Sequence, residues 1–297
     1  LPVLVKLFGL AQVQVAEDIV QETLLAALET WKLRGIPDQP RAWLYRTAKN
    51  KTIDFLRRER NFQLRIAPRL RADADSEPWL SNVFLDTEIE DAQLRMMFAS
   101  CHPAMPADGQ LVLILRTLCG LSVREIAAAF LQPEETVAKR LYRVREKIRR
   151  ENPALEVPVG AALQTRLDAV LQAIYLLFNE GYKSASDTAV IRRELCEEAL
   201  RLGDLLTRHP AGNLPKTHAL QALMYFQASR FDARLDATGA IILLENQDRS
   251  RWNRNMIAAG YEHLRRSTTG GDICEYHLEA AIASYHASAP NFAQTNW

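Results

Sequence analysis

Apolar residues recur at intervals of three and four along almost the whole chain, in segments dominated by Ala, Leu, Glu and Arg. That period predicts helices. One stripe is Ile19, Thr23, Ala27 and Trp31; the next is Leu44, Ala48, Thr52 and Phe55. A third runs through Leu111, Val112, Leu115 and Leu118, a fourth through Val137, Leu141, Val144 and Ile148. Further on, Leu167, Leu171, Ile174 and Phe178 share one face, and Ile191, Leu195, Leu202 and Leu206 another. The pattern stops at APRLRADADSEP (67–78), whose Pro, Ser and charge content reads as linker. It stops again at 152–158, bracketed by Pro153 and Pro158. Only 233–244 looks strand-like, with Asp-Ala-Thr-Gly (236–239) between apolar runs, which predicts a short β-hairpin. No internal repeat of fixed period is evident. The expected fold class is all-α: two small helical domains at 1–66 and 86–152 joined by a linker at 67–85, then a helical extension at 153–297 with the hairpin.

The punctuation between Asp108 and Arg150 is the most informative. Asp108 can cap a helix that Gly120 ends. Ser122 starts another, and Glu125 three residues later completes a capping box. That helix is short, with Ile126, Ala127 and Phe130 inward, and it breaks at Leu131-Gln132-Pro133. A longer helix follows, its first turn marked by Pro133 and Glu134. Opposite its apolar stripe the helical wheel places Thr136, Lys139, Arg140 and Arg143. A short helix, a tight turn and a longer helix with a basic outer face make a helix-turn-helix. Arg140 and Arg143 can offer paired donors to guanine edges or phosphates, while Lys139 and Arg145 neutralise backbone charge. The plainer reading of each helix alone is a bundle helix with a solvated face.

Composition sharpens this. An apolar share of 48% supports a real core, and two or three domains fit in 297 residues. The net charge of +1 hides a pattern. Basic residues crowd into 41–71 and 139–150, and the stretch 73–91 between them is acidic, without Lys or Arg. No apolar run approaches a membrane span, so a soluble protein is expected. The first ten residues lack the features of a signal peptide. The chain opens mid-pattern without an initiator Met, so further residues are expected upstream. Four scattered cysteines (Cys101, Cys119, Cys196, Cys274) suggest reduced thiols.

Chemistry of the catalytic kind is not legible. His277 and His286 do not share a helix face tightly enough for a metal, and Cys101-His102 lacks further ligands nearby. No nucleophile–base set converges, so the chain is read as no enzyme, with no metal and no cofactor. Glu180, Asp248, Arg249 and Arg251 are expected to form a buried ion network that fixes helix packing.

The run ETVAKRLYRV (135–144) resembles region 4 of bacterial sigma factors, with Glu135 in place of a usual Gly and Lys139 in place of a usual Ser. Glu135 either repels phosphate or accepts from a cytosine amino group. AEDIVQETLLAALETW (16–31) resembles region 2.2, and PRAWLYRTAKNKTIDFLRRER (40–60) resembles regions 2.3 and 2.4. The chain is thereby identified as resembling the extracytoplasmic-function sigma factors. The resemblance implies core RNA polymerase and promoter DNA as partners, action in transcription initiation and a cytoplasmic location. It assigns polymerase binding to the acidic edge of Asp18, Gln21 and Glu22, with Glu29 on the same edge. It assigns minus-ten DNA to Arg46, Lys49, Asn50, Arg57 and Arg60, and minus-thirty-five DNA to Thr136, Lys139, Arg140 and Arg143. The loop 32–39 lies where such factors hold a flipped base; Trp43 is read as core rather than as a wedge, and Asp54 as orienting Arg57 or Arg58. FNEGY (178–182), QDRSRW (247–252) and AAIA (280–283) resemble a subgroup with a long C-terminal extension, in which a tetratricopeptide-like array follows a string like APNFAQTNW (289–297). Restraint is expected from an anti-sigma protein or from the extension itself. Two rivals remain at this point: a DNA-binding regulator that never meets polymerase, and an enzyme with its site in the C-terminal half.

Overall fold

A computed structural model describes residues 1–66, 86–103, 105–151, 157–158, 160–183 and 191–297, leaving out the side chains of 59–66, 86–89, 91 and 161. The expected linker at 67–85 lies outside the described residues. Those described are almost wholly helical: α1 (Pro2–Phe8), α2 (Val13–Arg34), α3 (Pro40–Ile66), α4 (Asp86–Ser100), α5 (Ala107–Thr117), α6 (Val123–Ala129), α7 (Glu134–Glu151), α8 (Ala161–Tyr182), α9 (Arg193–Arg208), α10 (Pro215–Ala228), α11 (Arg254–Ser267) and α12 (Glu275–Ser288). They fall into two compact units, Leu1–Ala99 with Arg145–Glu156, and Ser100–Val144 with Val157–Trp297.

In the first unit α2 packs on α3 and α1 on α2. The predicted stripe on α2 is inward: Ile19, Thr23 and Ala27 are buried. Thr52 is fully buried on α3, and Phe55 meets Phe8 edge-on at 5.6 Å. Trp43 is half-buried against Trp31, ring centroids 5.6 Å apart, which makes it packing rather than a free wedge. Val3 and Ala92 pack with Tyr45, so α4 shares this core.

The second unit joins the helix-turn-helix to the extension. The predicted capping box is present: the Ser122 N–H donates to Glu125 Oε2 (2.6 Å), and the Glu125 N–H donates to Ser122 Oγ (3.2 Å). Gly120 ends α5 at φ +67°, after which the Leu121 N–H returns to the Leu115 carbonyl (3.0 Å). Asp108 is not the cap expected of it. Pro106 holds that position, and Asp108 sits inside the first turn. Residues 109 to 115 of α5 are all buried, so the helix is covered on every side. Within this unit α8 lies against both α5 and α6.

In the rest of the extension α8 packs on α9, followed by α10, α11 and α12. Phe226, Trp252 and Ile257 fill a core into which α12 presents only Ala280, Ala283 and Ala287. Small residues at that spacing let α12 approach α10 closely. The hairpin expected at 233–244 reduces to a single antiparallel bridge between Leu235 and Ile241. Its turn is held by Asp236, whose Oδ1 accepts from Thr238 N, Thr238 Oγ1 and Ala240 N. All four cysteines are free; Cys101 and Cys196 are buried, Cys119 and Cys274 half-exposed. Burial pushes the Cys196 thiol up to about 12, against the weaker pull of Arg234.

Candidate protein and nucleic-acid interfaces

The outer edge of α2 carries acid and leucine together. Asp18, Gln21 and Glu22 are exposed, as expected. Beside them Leu24, Leu25 and Leu28 are 44%, 58% and 70% exposed. The sequence reading passed over these leucines because an apolar residue in a helix defaults to core. Their offset from the buried set Ile19, Thr23 and Ala27 was the available signal. A stripe of leucine rimmed by carboxylates suits a protein partner and repels phosphate. Glu22 is not idle, since Lys51 Nζ on α3 lies 3.1 Å from its Oε2. Earlier on the helix, both carboxylate oxygens of Glu17 accept from Arg145 Nη2 (2.7 Å each). That engagement ties the end of α7 to α2 within the first unit and occupies the guanidinium expected to neutralise DNA.

On α3, Arg46, Asn50 and Arg57 are exposed and Lys49 half-buried. The backbone of Arg60 continues the helix, but its side chain lies outside the described residues. These positions share one face opposite Thr52 and Phe55. Arg58 Nε donates to the backbone carbonyl of Asp54 (3.3 Å), so its contact is with the main chain rather than with the carboxylate.

On α7 the apolar stripe is buried as drawn: Val137, Leu141, Val144 and Ile148. Thr136, Lys139 and Arg143 are exposed. Lys139 Nζ pairs with Glu135 (2.6 Å), the residue that stands where similar factors have Gly. Arg140 is set apart from them. Its side chain is only 20% exposed and its Nε is 2.8 Å from Asp108 Oδ2 on α5. A helical wheel gives its angle; it cannot show the carboxylate that a neighbouring helix brings. Tyr142, which the sequence reading did not single out, is 66% exposed between Lys139 and Arg143. In the turn before α7, Leu131 is 93% exposed and adopts φ +52°, left-handed for a non-glycine residue.

The extension reaches this domain through a carboxylate. Glu125 Oε1 accepts from Arg192, which precedes α9 and also pairs with Glu194 (3.1 Å). Burial works to raise the Glu125 pKa, but its bonds with Ser122 and Arg192 outweigh that and hold it below the usual carboxylate range. The ion network expected from Glu180, Asp248, Arg249 and Arg251 does not form as one group. Asp248 caps the turn at Ser250 (2.9 Å), while Arg249 donates to backbone carbonyls. Among the described residues no group of three His, Cys, Asp or Glu side chains could hold a metal, and no helix is long and apolar enough to cross a membrane.

Comparison with known proteins agrees with this layout. Family models described as Sigma-70 region 2 and Sigma-70 region 4 match residues 4–62 and 95–148. A family of unknown function, DUF6596, matches 166–268. The uncharacterized protein R00370 of Rhizobium meliloti is 38% identical over 284 residues, 95% of this chain and 67% of that protein. RNA polymerase sigma factor SigV of Bacillus subtilis is 27% identical over 138 residues, 45% of this chain and 74% of its own length. No solved structure matches. With both sigma regions matched in order along the chain, the chain belongs to the sigma-70 family as an extracytoplasmic-function sigma factor with a C-terminal extension.

Proposed function

We propose that the chain docks on core RNA polymerase through the outer face of α2 and recognises two promoter elements through α3 and α7. The observation that carries this is the separation of surfaces by chemistry. An acid-rimmed leucine stripe (Asp18, Gln21, Glu22, Leu24, Leu25, Leu28) can meet only a protein, while α3 and α7 expose basic faces. On α3, Arg46, Lys49, Asn50, Arg57 and Arg60 would hold the minus-ten strand: cations neutralise phosphate and the amide reads an exposed base. On α7, Thr136, Lys139 and Arg143 would enter the major groove of the minus-thirty-five element, with Arg140 steadied from behind by Asp108. A factor of this kind works on the chromosome, hence in the cytoplasm. Of the two restraints, an anti-sigma protein and the extension, the contact of α8 with α5 and α6 favours the extension.

The test is co-purification with core polymerase. Asp18→Lys combined with Leu28→Glu changes two exposed positions, so the far-UV spectrum and melting temperature should be retained while polymerase binding is lost. Undiminished retention on core polymerase would show that α2 is not the docking face.

A further inference from the structure

Three arginines of the extension crowd together with no counter-ion among the described residues. Arg230 follows α10, Arg234 lies just beyond it, and Arg249 opens the short turn before Trp252. The guanidinium of Arg234 stacks 3.6 Å above the Tyr182 ring. That of Arg230 lies 5.8 Å from the same ring and 5.7 Å from Trp252, and that of Arg249 lies 4.8 Å from Trp252. Among the described residues none of the three forms an ion pair. Their acceptors are neutral: Tyr182 Oη and Gln227 for Arg230, the Tyr182 carbonyl (2.6 Å) for Arg234. Arg249 donates to the carbonyls of His286 and Ala289 (2.9 Å) and to Thr295 (3.4 Å). Asp248, next to Arg249 in sequence, is engaged with Ser250.

These cations are not at the surface. Arg234 and Arg249 are each 7% exposed and Trp252 3%. Burial, with Arg230 alongside, lowers the pKa of Arg249, and burial lowers that of Arg234. Three buried polar atoms around this point have no hydrogen-bond partner among the described residues: Arg249 Nε, Trp252 Nε1 and His286 Nδ1. A purely structural role covers part of the arrangement, since a cation suits the carbonyls at the C-terminus of α12 and arginine stacks well on aromatics. It leaves the Arg249 Nε and the indole N–H without an acceptor among the described residues, and a buried donor left unpaired is costly.

We propose that Arg230, Arg249 and Trp252 form a binding site for a compact oxyanion of the inorganic phosphate class. The Arg230 guanidinium can offer charged N–H donors to a tetrahedral oxyanion, while Arg249, whose Nη atoms hold backbone carbonyls and Thr295, offers its Nε–H and Trp252 its indole N–H. Arg230, half-buried, is the most exposed of the three; Arg249 and Trp252 are buried. The site belongs to the extension alone and stands whether or not the polymerase reading holds.

The experiment is a titration of the full 297-residue chain with sodium phosphate against sodium chloride at matched ionic strength, read by melting temperature and calorimetry. A saturable rise specific to phosphate is expected. Arg230→Gln should weaken phosphate binding on the order of tenfold or more while leaving the ligand-free melting temperature close to the parent's. Arg249→Lys, which keeps the charge but removes the Nε–H, should weaken it as well, and it serves as the second variant if Arg230→Gln does not fold. Arg265→Gln, on the exposed face of α11, should respond like the parent. A parallel arm adds non-promoter duplex DNA. If DNA binds through Arg230 and phosphate does not, the arginines meet a nucleic-acid backbone and the compact-ion site is wrong. Equal responses to phosphate and chloride, or an Arg230→Gln response matching the parent's, would also overturn it.

Discussion

Arg140 and Arg143 lie three positions apart on α7 and have different surroundings. Arg143 is exposed, whereas the Nε of Arg140 is held 2.8 Å from Asp108 Oδ2. An arginine so engaged positions the helix; an arginine free to reorient can form a fork with a guanine edge. Arg143→Ala is therefore expected to cost about 1–3 kcal/mol on the cognate upstream element and to relax preference at one base position. Arg140→Ala and Asp108→Ala should resemble each other, weakening all sequences about equally. Binding to a set of single-substitution promoter fragments separates these outcomes; a relaxed base preference in Arg140→Ala would return the reading role to Arg140. A second residue-scale expectation concerns pH. His218 Nε2–H donates to Asn213 Oδ1 (2.8 Å), which leaves Nδ1 to accept from His263 (2.8 Å). Burial, with His263 and Arg266 adding to it and Glu262 opposing, lowers the His218 pKa from 6.5 to about 4. The unfolded chain thus takes up this proton first. The contribution of neutral His218 is whole above pH 6.5 and declines as pH falls toward 4, by about 3 kcal/mol at most. Melting at pH 7.5 and 4.5 should show a smaller acid-induced drop in His218→Gln than in the parent, and equal drops would remove His218 from the acid response.

At the scale of elements, the helix-turn-helix and the extension are joined by one carboxylate serving two structures. Glu125 closes the capping box of α6 with one oxygen and accepts from Arg192, at the entrance to α9, with the other. The pair is about a quarter exposed on either side, so its coupling should exceed that of a fully exposed bridge only modestly. A double-mutant cycle with Glu125→Gln and Arg192→Gln is expected to give about 1 kcal/mol, measured by denaturant unfolding. A coupling near zero would mean that the two elements are held by apolar packing alone. This pair also marks where sequence reading stops. The Ser122–Glu125 box spans four residues, and its signature is written in them. Arg192 is 67 residues away, and nothing in the local pattern points to it. The same distinction explains the other differences. The buried stripes of α2 and α7 follow from period alone, while the Asp108–Arg140 pair and the Glu17–Arg145 pair depend on which helices become neighbours. The hairpin expectation had the right turn in Asp236–Gly239, but 3-10 turns at Phe231–Ala233 and Leu244–Asn246 consume the flanks, leaving one bridge.

For the molecule as a whole, the consequence lies in how α5 is buried. A helix of a small free-standing domain keeps one face in water, yet residues 109 to 115 of α5 are all inaccessible, including Leu111, Val112, Leu113, Ile114 and Leu115. One side of the helix faces α7, where Gly109 approaches Val144 so closely that a Cβ would sit 2.5 Å from its Cγ2. Another faces α8, which also reaches α6. The extension is therefore part of the core that supports the helix-turn-helix. Ending the chain after Glu151 should expose a strip of Leu and Ile side chains on α5, each costing on the order of 1 kcal/mol or more. Amide exchange on the shortened chain is expected to show protection falling sharply in α5 and α6 and staying unchanged in α2 and α3, which belong to the other unit. The transition assigned to the helix-turn-helix should move down by roughly 5 °C or more. Adding the extension back as a separate polypeptide should restore that protection if it folds by itself; the pair Glu125→Gln with Arg192→Gln in the full chain should lower protection part of the way. Unchanged exchange in α5 after truncation would mean that the second sigma domain completes its own core without α8, and that the extension rests on it without supporting it.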